Sequence, residues 1–202
     1  DGVMSRGLGD VYKRQADTLV VAGTATVTIT GNPSISDLNA IAAKTSGVVT
    51  TTLAADSLSN LGALATAGTD AITITVNDAA EADVTAANLS TLGGKTAGTV
   101  TVSNAVDITG SASDLTAALV TTDTLVVAST ATANISDAAE TDIAATVLSA
   151  IGAKTSGTVT ATNAIDISGS SAEVTAALVT AETLVVAGTA TVTITGNPSI
   201  TD

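Results

Sequence analysis

Asp107 and Asp166 sit at matching places in two near-copies of one stretch, TVTVSNAVDITGSASDLTAALV (99–120) and TVTATNAIDISGSSAEVTAALV (158–179). Carboxylates matched in this way can act as an acid–base pair or supply hard oxygen ligands to calcium. Acid–base catalysis is the weaker reading. The chain has no His and no Cys, and its one tyrosine is Tyr12, so a nucleophilic serine would lack its usual base. A structural repeat also generates matched acids by itself, which argues against a unique active site. The chain is therefore expected not to be an enzyme, and no catalytic residue is assigned.

Calcium is the one cofactor that the composition leaves open, with Asp107 and Asp166 as candidate ligands. Spacing counts against it. If equivalent acids stand two strand steps apart they are separated by roughly 10 Å, whereas one ion joins oxygens no more than about 5 Å apart. The glycine-rich nonapeptide of calcium-binding β-rolls is absent, and DITGSASD lacks the ligand order of an EF-hand. Threonine offers a third chemistry. Thr26, Thr28 and Thr30, Thr73 and Thr75, Thr99 and Thr101, and Thr158, Thr160 and Thr162 form T-x-T rows of one parity. Stacked on a flat sheet they would make a lattice of about 4.8 Å by about 6.6 Å, of use for binding ice. Threonine is equally a good residue for any exposed strand face.

What must position these groups is a repeat. Residues 18–37 and 183–202, TLVVAGTATVTITGNPSISD and TLVVAGTATVTITGNPSITD, differ only at Ser36 and Thr201, 165 positions apart. Within that period KT(S/A)G recurs at Lys44, Lys95 and Lys154, and DAAE at Asp78 and Asp137, so the unit is 51 or 59 residues and splits into two coils. Coils begin near Thr18, Val48, Ala71, Thr99, Thr124, Thr158 and Thr183. Val100, Val102, Val106 and Ile108 share one parity, the signature of a half-buried strand. Leu115, Ala118 and Leu119, and Ile143, Val147 and Ile151, fall at helical spacing. Ser111–Asp114, Ser170–Glu173, Asp78–Glu81 and Asp137–Glu140 have the form of helix-capping boxes. Gly47, Gly98 and Gly157 read as helix terminators, with the preceding lysines complementing the helix dipole. Asn104 and Asn163 are expected to point inward and to turn the chain between strands. The expected fold is α/β, a repeat solenoid of short parallel strands and short helices in about seven coils. The alternative is a string of tandem β-sandwich modules.

Residues 1–15 stand outside this pattern. Ser5 to Gln15, SRGLGDVYKRQ, resembles the translation of an adapter used in preparing DNA sequencing libraries, so 1–15 are expected to be a non-native, disordered leader. They hold both arginines and the only methionine. Residues 16–202, read as an array truncated at both ends, keep three lysines against seventeen acids, a net charge of −14. Such a surface repels nucleic acid and anionic lipid. No apolar run approaches the roughly 18 residues needed to span a bilayer, so membrane insertion is not expected.

With ITGSASDLTAAL and SDAAETDIAATVLSAIGAKTSG as its most characteristic stretches, 16–202 resembles the repeat regions of very large secreted surface proteins of marine bacteria, cyanobacteria among them. The resemblance implies a structural or adhesin-like role, extracellular or at the cell surface. It carries over no functional residue. The expected function is a spacer, stalk or coat segment, with a calcium-stabilised stalk and an ice-binding face as alternatives. The expected partners are neighbouring repeats of the same parent chain, or other copies through end-to-end self-association.

Overall fold

The computed structural model describes residues 23–124, 126–183 and 185–196; the leader 1–15 lies outside them. In chain order the first half runs β1 (Val27–Thr28), α1 (Ile35–Ala42), β2 (Val49–Thr52), α2 (Leu58–Leu61), β3 (Ala71–Val76), β4 (Asp83–Thr85) and α3 (Ala86–Gly93). It continues with β5 (Val100–Val102), β6 (Asp107–Gly110), α4 (Ala112–Leu115) running into a π turn (Thr116–Val120), β7 (Val126–Val127) and β8 (Thr132–Ile135). The last part is β9 (Asp142–Ala144), α5 (Ala145–Gly152), β10 (Val159–Ala161), β11 (Asp166–Gly169), α6 (Ser171–Leu178), β12 (Val185–Val186) and β13 (Thr191–Ile194).

The fold is α/β, with parallel sheets and short helices. Three sheets form, in the orders β1-β2-β3-β5-β7, β12-β10-β8-β6-β4 and β13-β11-β9. Every strand pairing among the described residues is parallel. Tandem β-sandwiches are built from antiparallel sheets, so that alternative does not describe these pairings. Paired residues are 21 (Thr50 and Ala71) to 26 (Ile74 and Val100) positions apart. The long strand β3 pairs its first half with β2 and its second half with β5, which carries one sheet sideways as it grows.

Alternation decides which face is buried. Along β3, Ile72, Ile74 and Val76 are buried while Thr73 is exposed. Val100, Val102, Val106 and Ile108 are all buried, as their parity predicts. They meet Leu89, Leu92, Leu115, Leu119, Leu148 and Ile151 from the helices in one aliphatic core. Among the described residues the expected core of Val, Ile, Leu and Ala is interrupted by three buried polar residues, Thr51, Asp70 and Thr96.

Helix starts are partly as expected. Ser170 and Glu173 form a full capping box, and the Ser111 hydroxyl accepts from the Asp114 N–H. Asp78–Glu81 and Asp137–Glu140 do not begin helices. Both are turns, in which Glu81 and Glu140 take positive φ values of 63° and 64°. The backbone N–H groups of those glutamates donate to Ala105 and Ala164, and the Asn104 and Asn163 side chains donate back to the carbonyls of Asp78 and Asp137. The asparagines thus bond neighbouring backbone as expected, although Asn163 is exposed rather than inward. Ile143 belongs to β9, so the helix-like spacing it shares with Val147 and Ile151 crosses a strand–helix boundary.

The KT(S/A)G motif ties the chain to a strand start 20 to 27 residues earlier. After α3 the Thr96 hydroxyl, buried, accepts from the N–H groups of Ile72 and Gly98 and lies 2.8 to 2.9 Å from the carbonyls of Ile72 and Asp70. Ala97 N–H donates to the Asp70 carbonyl at 2.7 Å. Thr45 and Thr155 likewise donate to the Ala25 and Ala131 carbonyls, and Ser46 and Ser156 N–H to Gly23 and Ser129. Glycine follows because the backbones meet. A Cβ on Gly47, Gly98 or Gly157 would stand 2.4, 2.3 or 2.2 Å from the carbonyl oxygen of Ala25, Ile72 or Ala131. These glycines do not end helices, since the helices stop at Ala42, Gly93 and Gly152. Gly98→Ala is therefore expected to cost about 1–3 kcal/mol in urea denaturation, the scale of an overpacked site. Gly188→Ala, where a Cβ meets nothing within 4 Å, should change stability by less than about 0.5 kcal/mol.

Candidate functional site

The two acids singled out by their matched motifs do not face each other. Asp107 lies on β6 and Asp166 on β11, in different sheets. Each has another aspartate as its direct register partner: Asp83 stands beside Asp107 on β4, and Asp142 beside Asp166 on β9. The expected separation of two strand steps is therefore replaced by carboxylate pairs one step, about 4.8 Å, apart. On its other side Asp107 is paired with Thr132, whose hydroxyl donates to Asp107 Oδ1, and Asp166 with Thr191. Asp83 and Asp142 are exposed, while Asp107 and Asp166 are half-buried. Copies of one motif fall 59 residues apart, whereas strand neighbours here fall 24 apart, so motif alignment overlooked both partners.

Like charges opposed in register destabilise a sheet, and a cation or added salt offsets them. Two carboxylates remain few ligands for calcium, which takes six to eight oxygens. Among the described residues no group of three or more Asp, Glu, His or Cys stands close enough to hold a metal ion.

Many other acids are occupied by backbone. Asp70, buried, accepts from the N–H groups of Val49 and Ala67 through its two oxygens. Asp78 accepts from Leu58 N–H and Asp137 from Ala112 N–H, each capping the first turn of a helix 20 or 25 residues earlier. Two half-buried carboxyls are held below their ordinary values. Asp56 is lowered chiefly by the Asn60 side-chain amide and next by the Ser57 N–H. Glu173 is lowered by the Ser170 N–H and then its hydroxyl. Lowered carboxyls stabilise the fold above their unfolded values, 3.8 and 4.5, and that contribution is lost as pH falls through the folded ones.

Lysine also acts between repeats. Lys95 Nζ donates to the Gly62 carbonyl, the C-cap of α2, at 2.9 Å, so it complements a helix end 33 residues earlier rather than that of its own helix. Two surface grooves flank the KT(S/A)G segments. One is lined by Thr96, Gly98, Thr99 and Asp123 and the other by Thr155, Gly157, Thr158 and Glu182, so a 59-residue repeat reproduces them with one acid each. The threonine rows are short. Thr28 pairs with Thr50, Thr52 with Thr73, and Thr75 with Thr101 in one sheet, while Thr85, Thr109, Asn134 and Thr160 align in another. Thr99 and Thr158 lie just before their strands, and Thr26, Thr30 and Thr162 are exposed outside theirs.

No family model, curated protein or solved structure matches this chain. Among the described residues no helix is long and apolar enough to cross a membrane.

The aspartate pairs can be tested directly. Asp83→Asn or Asp142→Asn should raise the melting temperature by about 1–3 °C in low salt, the scale of one cross-strand pair, with the gain shrinking as salt is added. Millimolar calcium should move wild type no further than sodium of equal ionic strength. A larger, calcium-specific rise that either substitution abolishes would identify the pair as a calcium site.

Proposed function

We propose that residues 16–202 are a structural segment, a spacer, stalk or coat element, of a large extracellular bacterial surface protein, and that their repeats stack as a solenoid. One observation carries this reading: segments that recur in sequence are joined by in-register parallel strands, and polar side chains in the motifs are committed to bonds between strand–helix segments 20 to 26 residues apart. A segment built this way contributes length and stiffness, with any ligand recognition lying elsewhere in the parent chain. No catalytic role is assigned to it.

Two other readings keep a specific observation each. The aspartate pairs favour a calcium-stabilised adhesin-like stalk, and the paired threonines favour an ice-binding face. The spacer reading accounts for both without a ligand, the acids as solvated surface charge and the threonines as strand formers.

Small-angle X-ray scattering on a chain carrying the 165-residue unit 18–182 twice tests the spacer. Six added strand steps of about 4.8 Å should lengthen the particle by roughly 30 Å at constant cross-section. A particle that thickens instead, or behaves as beads on a flexible string, contradicts the reading. Thermal hysteresis with faceted ice crystals would transfer the function to the threonine face.

A further inference from the structure

The two ends of the described array carry one segment in two different situations. Residues 18–31 and 183–196 are identical, TLVVAGTATVTITG. At one end this segment supplies β1, which lies against β2 in the register Val27↔Val49 and Thr28↔Thr50. At the other end it supplies β13, which lies against β11 in the register Asp166↔Thr191 to Gly169↔Ile194. The segment therefore binds a different neighbour through each of its two edges, and each copy has only one of these neighbours among the described residues. Its backbone has the same form where it leaves the strand, with φ of 94° at Gly31 and 92° at Gly196.

Burial shows what β13 lacks. Val27 and Ile29 are half-buried beside β2, whereas the equivalent Val192 and Ile194 are 42% and 44% exposed. Among the described residues the other edge of β13 has no strand partner, and its backbone N–H and C=O groups there can be met by a strand of another chain. Identity of sequence specifies which strand. The surface that accepts TVTI on this edge is β2, where Val27 N–H donates to Val48, Ile29 N–H to Thr50, and the Thr45 hydroxyl to the Ala25 carbonyl.

We propose that β13 of one molecule takes the place of β1 on β2 of a second copy, in the register Val192↔Val49 and Thr193↔Thr50. The exchange rests on the repeat-array reading above and adds to it a defined partner and register. Among the described residues β1 and β2 share two register pairs. All three bonds just named from or to the segment involve its backbone, so a segment of the same sequence reproduces them. The sheet β9-β11-β13 of one molecule then continues into β2-β3-β5-β7 of the next, and because donor and acceptor surfaces differ, the association propagates head to tail rather than closing as a two-fold dimer.

The chain has no cysteine, which makes disulfide trapping unambiguous. Thr28, Thr50 and Thr193 are exposed, and in-register parallel neighbours stand within the roughly 4.4–6.8 Å Cα separation that a disulfide needs. The native β1 competes intramolecularly at an effective concentration on the order of 1 mM, so full-length Thr50→Cys and Thr193→Cys chains are unfolded, mixed and refolded together at comparable concentration. Oxidation should give a mixed Thr50→Cys/Thr193→Cys dimer at least fivefold above either homodimer, and adding Ile194→Asp to the donor should remove it. The double variant Thr28→Cys/Thr50→Cys should close within a monomer. If it closes but the mixed dimer does not exceed the homodimers, strand exchange is wrong and the repeat reading stands. If it fails to close, the β1–β2 register itself is wrong and both fall.

Discussion

The closeness of one backbone to the next is the constraint on which the rest of this fold depends. Parallel strands stack at about 4.8 Å, and the connections that follow each helix have to stack with them. At Gly47, Gly98 and Gly157 the chain approaches a strand start 22 to 26 residues earlier so closely that any Cβ would overlap a carbonyl oxygen. The hydroxyl of the threonine two residues earlier, Thr45, Thr96 or Thr155, occupies the same junction and bonds carbonyls of that strand start. Glycine permits the approach and threonine fixes it. With both in place the aliphatic side chains of consecutive strands fall in line, and a core without aromatic residues can close.

A second consequence concerns charge. With seventeen acids between residues 16 and 202 the array would be expected to repel itself, yet Asp70, Asp78 and Asp137 are each aimed at backbone N–H groups of a preceding strand or helix. There the helix N-terminus favours an anion and the orphan donors of the first turn find an acceptor. Acidity thus joins neighbouring segments of the chain. Groups spent in this way are not free for a ligand.

Strand positions were legible because period-2 alternation survives in any half-buried strand, as Val100, Val102, Val106 and Ile108 illustrate. The repeat was legible for the same reason that the caps at Ser111 and Ser170 were: each is local. What depended on register was hidden. Asp83 and Asp142 became visible as partners of Asp107 and Asp166 only once strands 24 residues apart were paired. DAAE satisfies the pattern of a capping box, but its aspartate caps a helix 20 or 25 residues earlier and its glutamate adopts a left-handed turn, so the same residues met a different partner. The glycines of KT(S/A)G were recognisable as obligatory, while their cause, a neighbouring backbone rather than a helix end, lies 22 to 26 residues away in sequence.

The junction at Thr96 is where the account is most exposed to test. Native-state hydrogen exchange on wild type and Thr96→Val measures it, since valine keeps the shape but leaves the Ile72 and Gly98 amides without their acceptor. The account predicts slow exchange of both amides in wild type, faster exchange by at least tenfold in the variant, and a loss of about 1–3 kcal/mol in global stability, the cost of buried donors left unsatisfied. Unchanged protection at Ile72 and Gly98 in a variant as stable as wild type would contradict it.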